Sequence, residues 1–191
     1  MCAKSGLSKH FHVPNITLNC TPIRLVTKEK YLGFIFTDDG MDNDHIKREI
    51  RNTFARGSML IRNFKHCSDD VKVRLYKAYC SSVYCCGLLS SHYNYVLKKL
   101  HVAFNKVFKC LMNVHGRYSA SALFVSFNVC NFLVLRRKLV YSLSCRVSAS
   151  MNSFIADIRD SAHFENCQLK KEWNNIMFLW SILLQLYKMY I

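Results

Sequence analysis

Phe36-Thr37-Asp38-Asp39 closes an apolar run that begins at Tyr31, and its adjacent aspartates are the first residues along the chain that suggest a chemistry. An aromatic residue, any residue and two aspartates at the end of a β-type segment is one way nucleotidyl-transfer enzymes present carboxylates to divalent cations. Two-metal phosphoryl transfer needs carboxylates converging from more than one strand, because two cations a few ångströms apart must be held and neutralised together. Residues 1–37 contain no aspartate, and Glu29 is their only acid. Asp42 and Asp44 follow closely, but both suit the start of a helix. No residue is therefore assigned a catalytic role, and no cofactor is expected.

Metal-ligating patterns are equally thin. The ten cysteines are scattered from Cys2 to Cys167, with only Cys85 and Cys86 adjacent and no CxxC spacing. His10-x-His12 and His66-Cys67 are close pairs that lack a second pair at usable distance. No metal site is expected, and the histidines read as surface residues and the cysteines as reduced, buried thiols. Met1-Cys2-Ala3-Lys4-Ser5-Gly6 has no apolar segment of the secretory type. Unpaired thiols without such a signal point to a reducing compartment, intracellular, nuclear or cytoplasmic, and not to secretion.

Charge is the stronger signal. Lys and Arg number 27 against 12 Asp and Glu, a net charge of +15, and attraction to polyanions follows, nucleic acid first and anionic membrane second. Val71 to Ala156 holds no carboxylate at all, yet twelve cations from Lys72 to Arg146 lie there. Without partners inside that stretch, these charges are expected to face water or a bound anion.

The elements that position these charges follow from periodicity. Ile16–Cys20 and Ile23–Val26 read as strands around a Cys20-Thr21-Pro22 turn, with Tyr31–Phe36 as a third β-rich run and Thr37-Asp38-Asp39-Gly40 as a turn. Asp42 or Asp44 caps a helix over about 43–65. Its apolar face is Ile46, Ile50, Phe54, Gly57, Leu60, Ile61 and Phe64, and Lys47, Arg51, Arg62 and Lys65 form one stripe elsewhere on it. Ser68 caps a second helix that runs towards Cys86-Gly87, with Asp69 and Asp70 in its first turn. A third helix, about 94–113, carries Leu97, Leu100, Phe104, Val107, Phe108 and Leu111 on one face and Lys98, Lys99, Lys106 and Lys109 on the other. Shorter helices are expected over 119–127 and about 131–148.

From Ile176 to Ile191 the chain reads IMFLWSILLQLYKMYI, short of the roughly 20 apolar residues that span a bilayer. Trp173, Ile176, Trp180, Leu183 and Tyr187 recur at helical spacing, so a core-docked helix is expected, with membrane association as the lesser alternative. The fold class is thus mainly α, with a small N-terminal β element.

Lys30-Tyr31-Leu32-Gly33-Phe34-Ile35 resembles the Lys-Tyr-Leu-Gly strand that follows the catalytic palm in reverse transcriptases of non-LTR (LINE-type) retrotransposons. The likeness continues through His45-Ile46-Lys47-Arg48-Glu49-Ile50-Arg51, Ala55-Arg56-Gly57-Ser58-Met59-Leu60-Ile61-Arg62, Val71-Lys72-Val73-Arg74-Leu75-Tyr76 and Tyr79-Cys80-Ser81-Ser82-Val83-Tyr84. It extends through Ala103-Phe104-Asn105-Lys106, Ser119-Ala120-Ser121 and Arg136-Arg137-Lys138 to Arg146 and Asn152, and is closest to the jockey-like branch. Departures are Asn19-Cys20 where the family has Asn-Gly, Tyr84-Cys85 where it has Tyr-Gly, and Leu88-Leu89 where it has Leu-Trp. Glycines lost from turns suggest decay, since glycine alone takes positive φ cheaply.

The resemblance implies that residues 1–40 are the last palm strands, 41–160 a helical thumb and the region beyond it, and 161–191 an apolar tail outside the likeness. It places the polymerase chemistry upstream of Met1. It further implies a sequence-tolerant grip on an RNA/DNA hybrid or duplex, with Tyr31, Leu32 and Gly33 nearest the primer. Lys47, Arg51, Arg62 and Lys65 are the foremost phosphate ligands, and Lys98, Lys99, Lys106 and Lys109 the next. Two alternatives stand beside this: a small helical protein acting at membranes or on proteins through its tail, and an inert remnant.

Overall fold

The computed structural model describes residues 16–83, 86–89 and 94–189, with side chains described except at 94 and 179–189. His10, His12, Tyr84, Cys85 and the side chains of Trp180, Leu183 and Tyr187 lie outside the described residues.

The chain opens with two separate antiparallel hairpins. β1 (Thr17–Leu18) pairs with β2 (Thr21–Pro22), and β3 (Lys28–Tyr31) with β4 (Phe34–Thr37). Each turns on two residues at positive φ, Asn19 and Cys20 at 50° and 63°, Leu32 and Gly33 at 46° and 82°. Such two-residue turns match the right-handed twist of the strands they join. The expected strand Tyr31–Phe36 is therefore a hairpin folded at Leu32-Gly33, because a glycine inside a β-type run marks the point where the backbone reverses. The first turn falls at Asn19-Cys20, not Cys20-Thr21-Pro22, and Ile23–Val26 is no strand, although Ile23 N still donates to Ile16 O at 2.8 Å.

Helices follow without interruption by further strands among the described residues: α1 (Asn43–Phe64), α2 (Asp69–Tyr79), a 3-10 turn at Cys86–Leu88, then α3 (Asn94–Leu111), α4 (Ala120–Ser126), α5 (Phe132–Ser148), α6 (Ser153–Arg159), α7 (Ala162–Asn166) and α8 (Gln168–Met189). Side-chain oxygens of Ser119, Asn131, Asn152 and Ser161 accept from the first-turn amides of α4, α5, α6 and α7. Asp42 and Ser68 precede α1 and α2 without a capping bond of this kind. Instead Asp69, Asp70 and Asp44 place negative charge in first turns, where the helix dipole favours it. α2 stops at Tyr79, short of Cys86, because Cys80 N and Ser81 N both donate to Tyr76 O.

The principal core lies where α1 packs on α3, and α2, α4 and α5 close it around Tyr76, Phe104, Phe108, Phe124 and Phe132. α1 turns its expected apolar face inward, with Ile50, Ile61 and Phe64 packed against the core at its margin, but the buried arc is rotated towards polar residues. Ile46, Gly57 and Leu60 are buried together with His45, Glu49 and Thr53, whereas Phe54 is 38% exposed. Polar groups tolerate burial when partnered. Asn52 Nδ2 donates to Glu49 Oε1 at 3.0 Å, Thr53 Oγ1 donates to Glu49 O at 2.8 Å, and the Arg56 guanidinium stands 4.0 Å from Glu49.

α6 and α7 fold the chain back so that α8 lies along α5. Trp173 and Ile176 are buried against Val140, with Leu143, Val147, Phe164 and Leu169 around them. Trp173 Nε1 donates to Gly87 O at 2.8 Å, and Arg136 pairs with Glu172 at 3.4 Å. No helix among the described residues is long and apolar enough to cross a membrane.

Candidate nucleic-acid interface

The β3–β4 hairpin is fastened to the start of α1 at three points. Phe34 stacks on His45 with centroids 4.2 Å apart, the Arg48 guanidinium donates to Gly33 O, and Lys28 Nζ donates to Asp44 Oδ2 at 2.6 Å. The hairpin tip is consequently held on the helix while Tyr31 and Leu32, 64% and 73% exposed, remain open to contact. Gly33 serves as the acceptor that fixes the tip. Arg48 escapes a reading by sequence alone, because beside Lys47 it looks like one more surface cation; the 100° step between neighbours sends it to a different face.

The same step sets Lys47, Arg51, Arg62 and Lys65 within about 60° of one another and about 140° round α1 from Thr53, Gly57 and Leu60. All four are exposed. From Lys47 to Lys65 the stripe extends about 27 Å along the helix at 1.5 Å per residue. Lys47 pairs with Asp44 at 3.4 Å, whereas Arg51, Arg62 and Lys65 are in no ion pair among the described residues. Lys28, bonded most directly, and Lys47 hold the Asp44 carboxyl below the usual carboxylate range.

On α3, Lys98, Lys99, Lys106 and Lys109 fall opposite Leu100, Phe104, Val107 and Leu111. Lys99 sits 4.3 Å over the Tyr95 ring, and Lys109 Nζ donates to Gly116 O at 2.8 Å, so neither ammonium is idle. Because α1 and α3 bury their inner faces against one another, their cationic faces point away from the shared interface. The eight residues form two separate surfaces, not one.

The acid-free stretch also has partners after all, drawn from beyond its ends. Lys72, buried, pairs with Asp69 at 3.3 Å, and Arg136 with Glu172. Those cations are structural. Asp39 Oδ1 accepts from Met41 N at 2.8 Å and from Thr37 Oγ1, which occupies it in its own turn. Among the described residues no group of three His, Cys, Asp or Glu is placed to hold a metal ion.

Comparison with protein-family models, with curated proteins and with solved structures gave no match.

Proposed function

We propose that the chain is the carboxy-terminal part of a LINE-type reverse transcriptase, without polymerase activity of its own, and that it holds nucleic-acid duplex in a sequence-tolerant way. The observation that carries this reading is the fixing of the Lys30–Gly33 tip onto the same helix whose outer face bears Lys47, Arg51, Arg62 and Lys65. A helix with a cationic edge follows phosphates without reading bases. Support for a larger original sheet comes from the hairpins themselves. Among the described residues, Ile16, Leu18, Ile23 and Leu25 stand exposed beside strand edges that no further strand pairs, a state that paired or covered strands avoid.

The α1 surface is the duplex-binding face in this reading, and the α3 lysines form a second, weaker one. Titration of RNA/DNA hybrids of several unrelated sequences tests it: affinities within about threefold of each other at fixed salt agree with backbone contact, and strong preference for one sequence contradicts it. Primer extension with Mg²⁺ or Mn²⁺ is expected to be absent. Extension that disappears in Asp38→Ala would mean that the acidic turn is catalytic after all.

A further inference from the structure

Where β3 meets α1, a recess of about 480 Å³ is lined by Lys28, Asp44, Lys47, Ile50 and Arg51. Two of its three cations, Lys28 and Lys47, meet on one carboxylate, and Arg51 lines the recess beside them. Asp44 Oδ2 accepts from Lys28 Nζ at 2.6 Å and Oδ1 from Lys47 Nζ at 3.4 Å, while Arg51 is in no ion pair among the described residues. One negative charge with two oxygens, each taking an ammonium, is also what a phosphodiester offers through its non-bridging oxygens.

We propose that this recess is a phosphate-binding site and that Asp44 is an internal stand-in for phosphate, displaced when a polyanion engages Lys28 and Lys47. The inference rests on the nucleic-acid reading above and adds to it a residue from the hairpin, Lys28, and an autoinhibitory contact. The exchange costs little, because ion pairs between exposed side chains contribute little in water and salt screens them further. Lys28 and Lys47 both keep half or more of their side-chain surface exposed, so an incoming phosphate reaches them without rearranging the core. A polyanion also brings neighbouring charges that a lone carboxylate lacks, and these tip the competition towards it.

Asp44 has a plainer structural use, since it ties β3 to α1 and suits the helix start. Two variants separate the uses. Asp44→Asn and Lys28→Gln remove the same Lys28–Asp44 ion pair, so damage from its loss is common to both. They change the charge of the recess in opposite directions. With inorganic tripolyphosphate as probe, too short to follow the whole α1 stripe, Asp44→Asn is expected to bind about fivefold tighter than wild type and Lys28→Gln about fivefold weaker, the worth of one close charge in water. If both variants weaken binding, or Asp44→Asn leaves it unchanged, the proposal is overturned. A wild-type chain that shows this pattern with tripolyphosphate yet binds no hybrid duplex contradicts the nucleic-acid reading alone. Duplex binding that depends on Arg51, Arg62 and Lys65 but does not tighten in Asp44→Asn contradicts the recess alone.

Discussion

Gly57 of α1 lies directly against Val107 of α3: a Cβ placed on the glycine would stand 2.5 Å from Val107 Cγ1 and 2.9 Å from Cγ2. Valine branches at Cβ and is stiff about χ1, so these methyls do not swing aside. Gly57→Ala gains about 1 kcal/mol of helix propensity, but overpacking of this kind costs about 1–3 kcal/mol, and a net loss of stability is expected. Adding Val107→Ala makes room for the new methyl. Urea denaturation of the two single variants and the double should show the double more stable than the summed single losses, by at least about 0.5 kcal/mol.

Two buried thiols give the fold a pH limit. Burial pushes Cys86 up to about 12 and Cys80 up to about 11, from 9.0, and it raises the Tyr76 hydroxyl as well. These groups ionise first in the unfolded chain, so their contribution is fully present below the unfolded value and is lost as pH rises through the folded one. Stability should therefore fall from about pH 9 upward. Denaturation midpoints at pH 8 and pH 10.5 check this, and replacing both cysteines with alanine should flatten the difference. Contrary to the expectation of buried thiols and surface histidines, Cys20, Cys110 and Cys145 are exposed and His45 is buried, so at pH 8 a thiol reagent should modify those three cysteines well before Cys80 or Cys86.

α8 contributes to stability through Trp173, which is 4% exposed and bonded to Gly87 O. Trp173→Ala is expected to cost about 3–5 kcal/mol, and Trp173→Phe, which keeps most of the packing and loses the donor, about 1–2 kcal/mol. Thermal unfolding of the two variants gives the comparison. A cost near zero for both would mean that the tail is merely apposed to α5.

The helical part of the fold was legible because its signals are local. The spacing of Leu97, Leu100, Phe104, Val107, Phe108 and Leu111 marks α3, and the helices expected over 119–127 and about 131–148 fall closely on α4 and α5. What escaped is set by tertiary partners. Periodicity ranks Phe54 above Glu49 and Thr53, yet the latter two are buried, because Asn52 and Arg56 satisfy Glu49 and α3 faces that side. Arg136 and Lys72 read as free cations because their carboxylates lie outside the stretch without acids. The candidate stripe on α1 was legible as a face. Its connection to the Leu32-Gly33 turn was not, since that depends on a guanidinium reaching a carbonyl fifteen residues away.

Cys20 provides a further test of the turn. It takes φ 63°, in the left-handed region, at the position where the resembled family carries glycine. A side chain there costs about 1–2 kcal/mol that glycine avoids. Cys20→Gly should strengthen the β1–β2 hairpin, read as slower hydrogen exchange of the Ile23 amide that bonds to Ile16 O. Faster exchange in the variant would contradict the turn geometry.

The central claim is that the outer face of α1 binds nucleic-acid phosphates, and the salt dependence of hybrid-duplex binding tests it most directly. Four phosphate contacts from Lys47, Arg51, Arg62 and Lys65 correspond to a log-log salt slope of roughly −3 to −4 through counterion release. The variant with all four replaced by glutamine should keep its helicity, since these side chains lie away from the buried face. The expected result is a slope flattened by about that amount relative to wild type. An unchanged slope in the quadruple variant, or no binding by the wild-type chain at low salt, would contradict the claim.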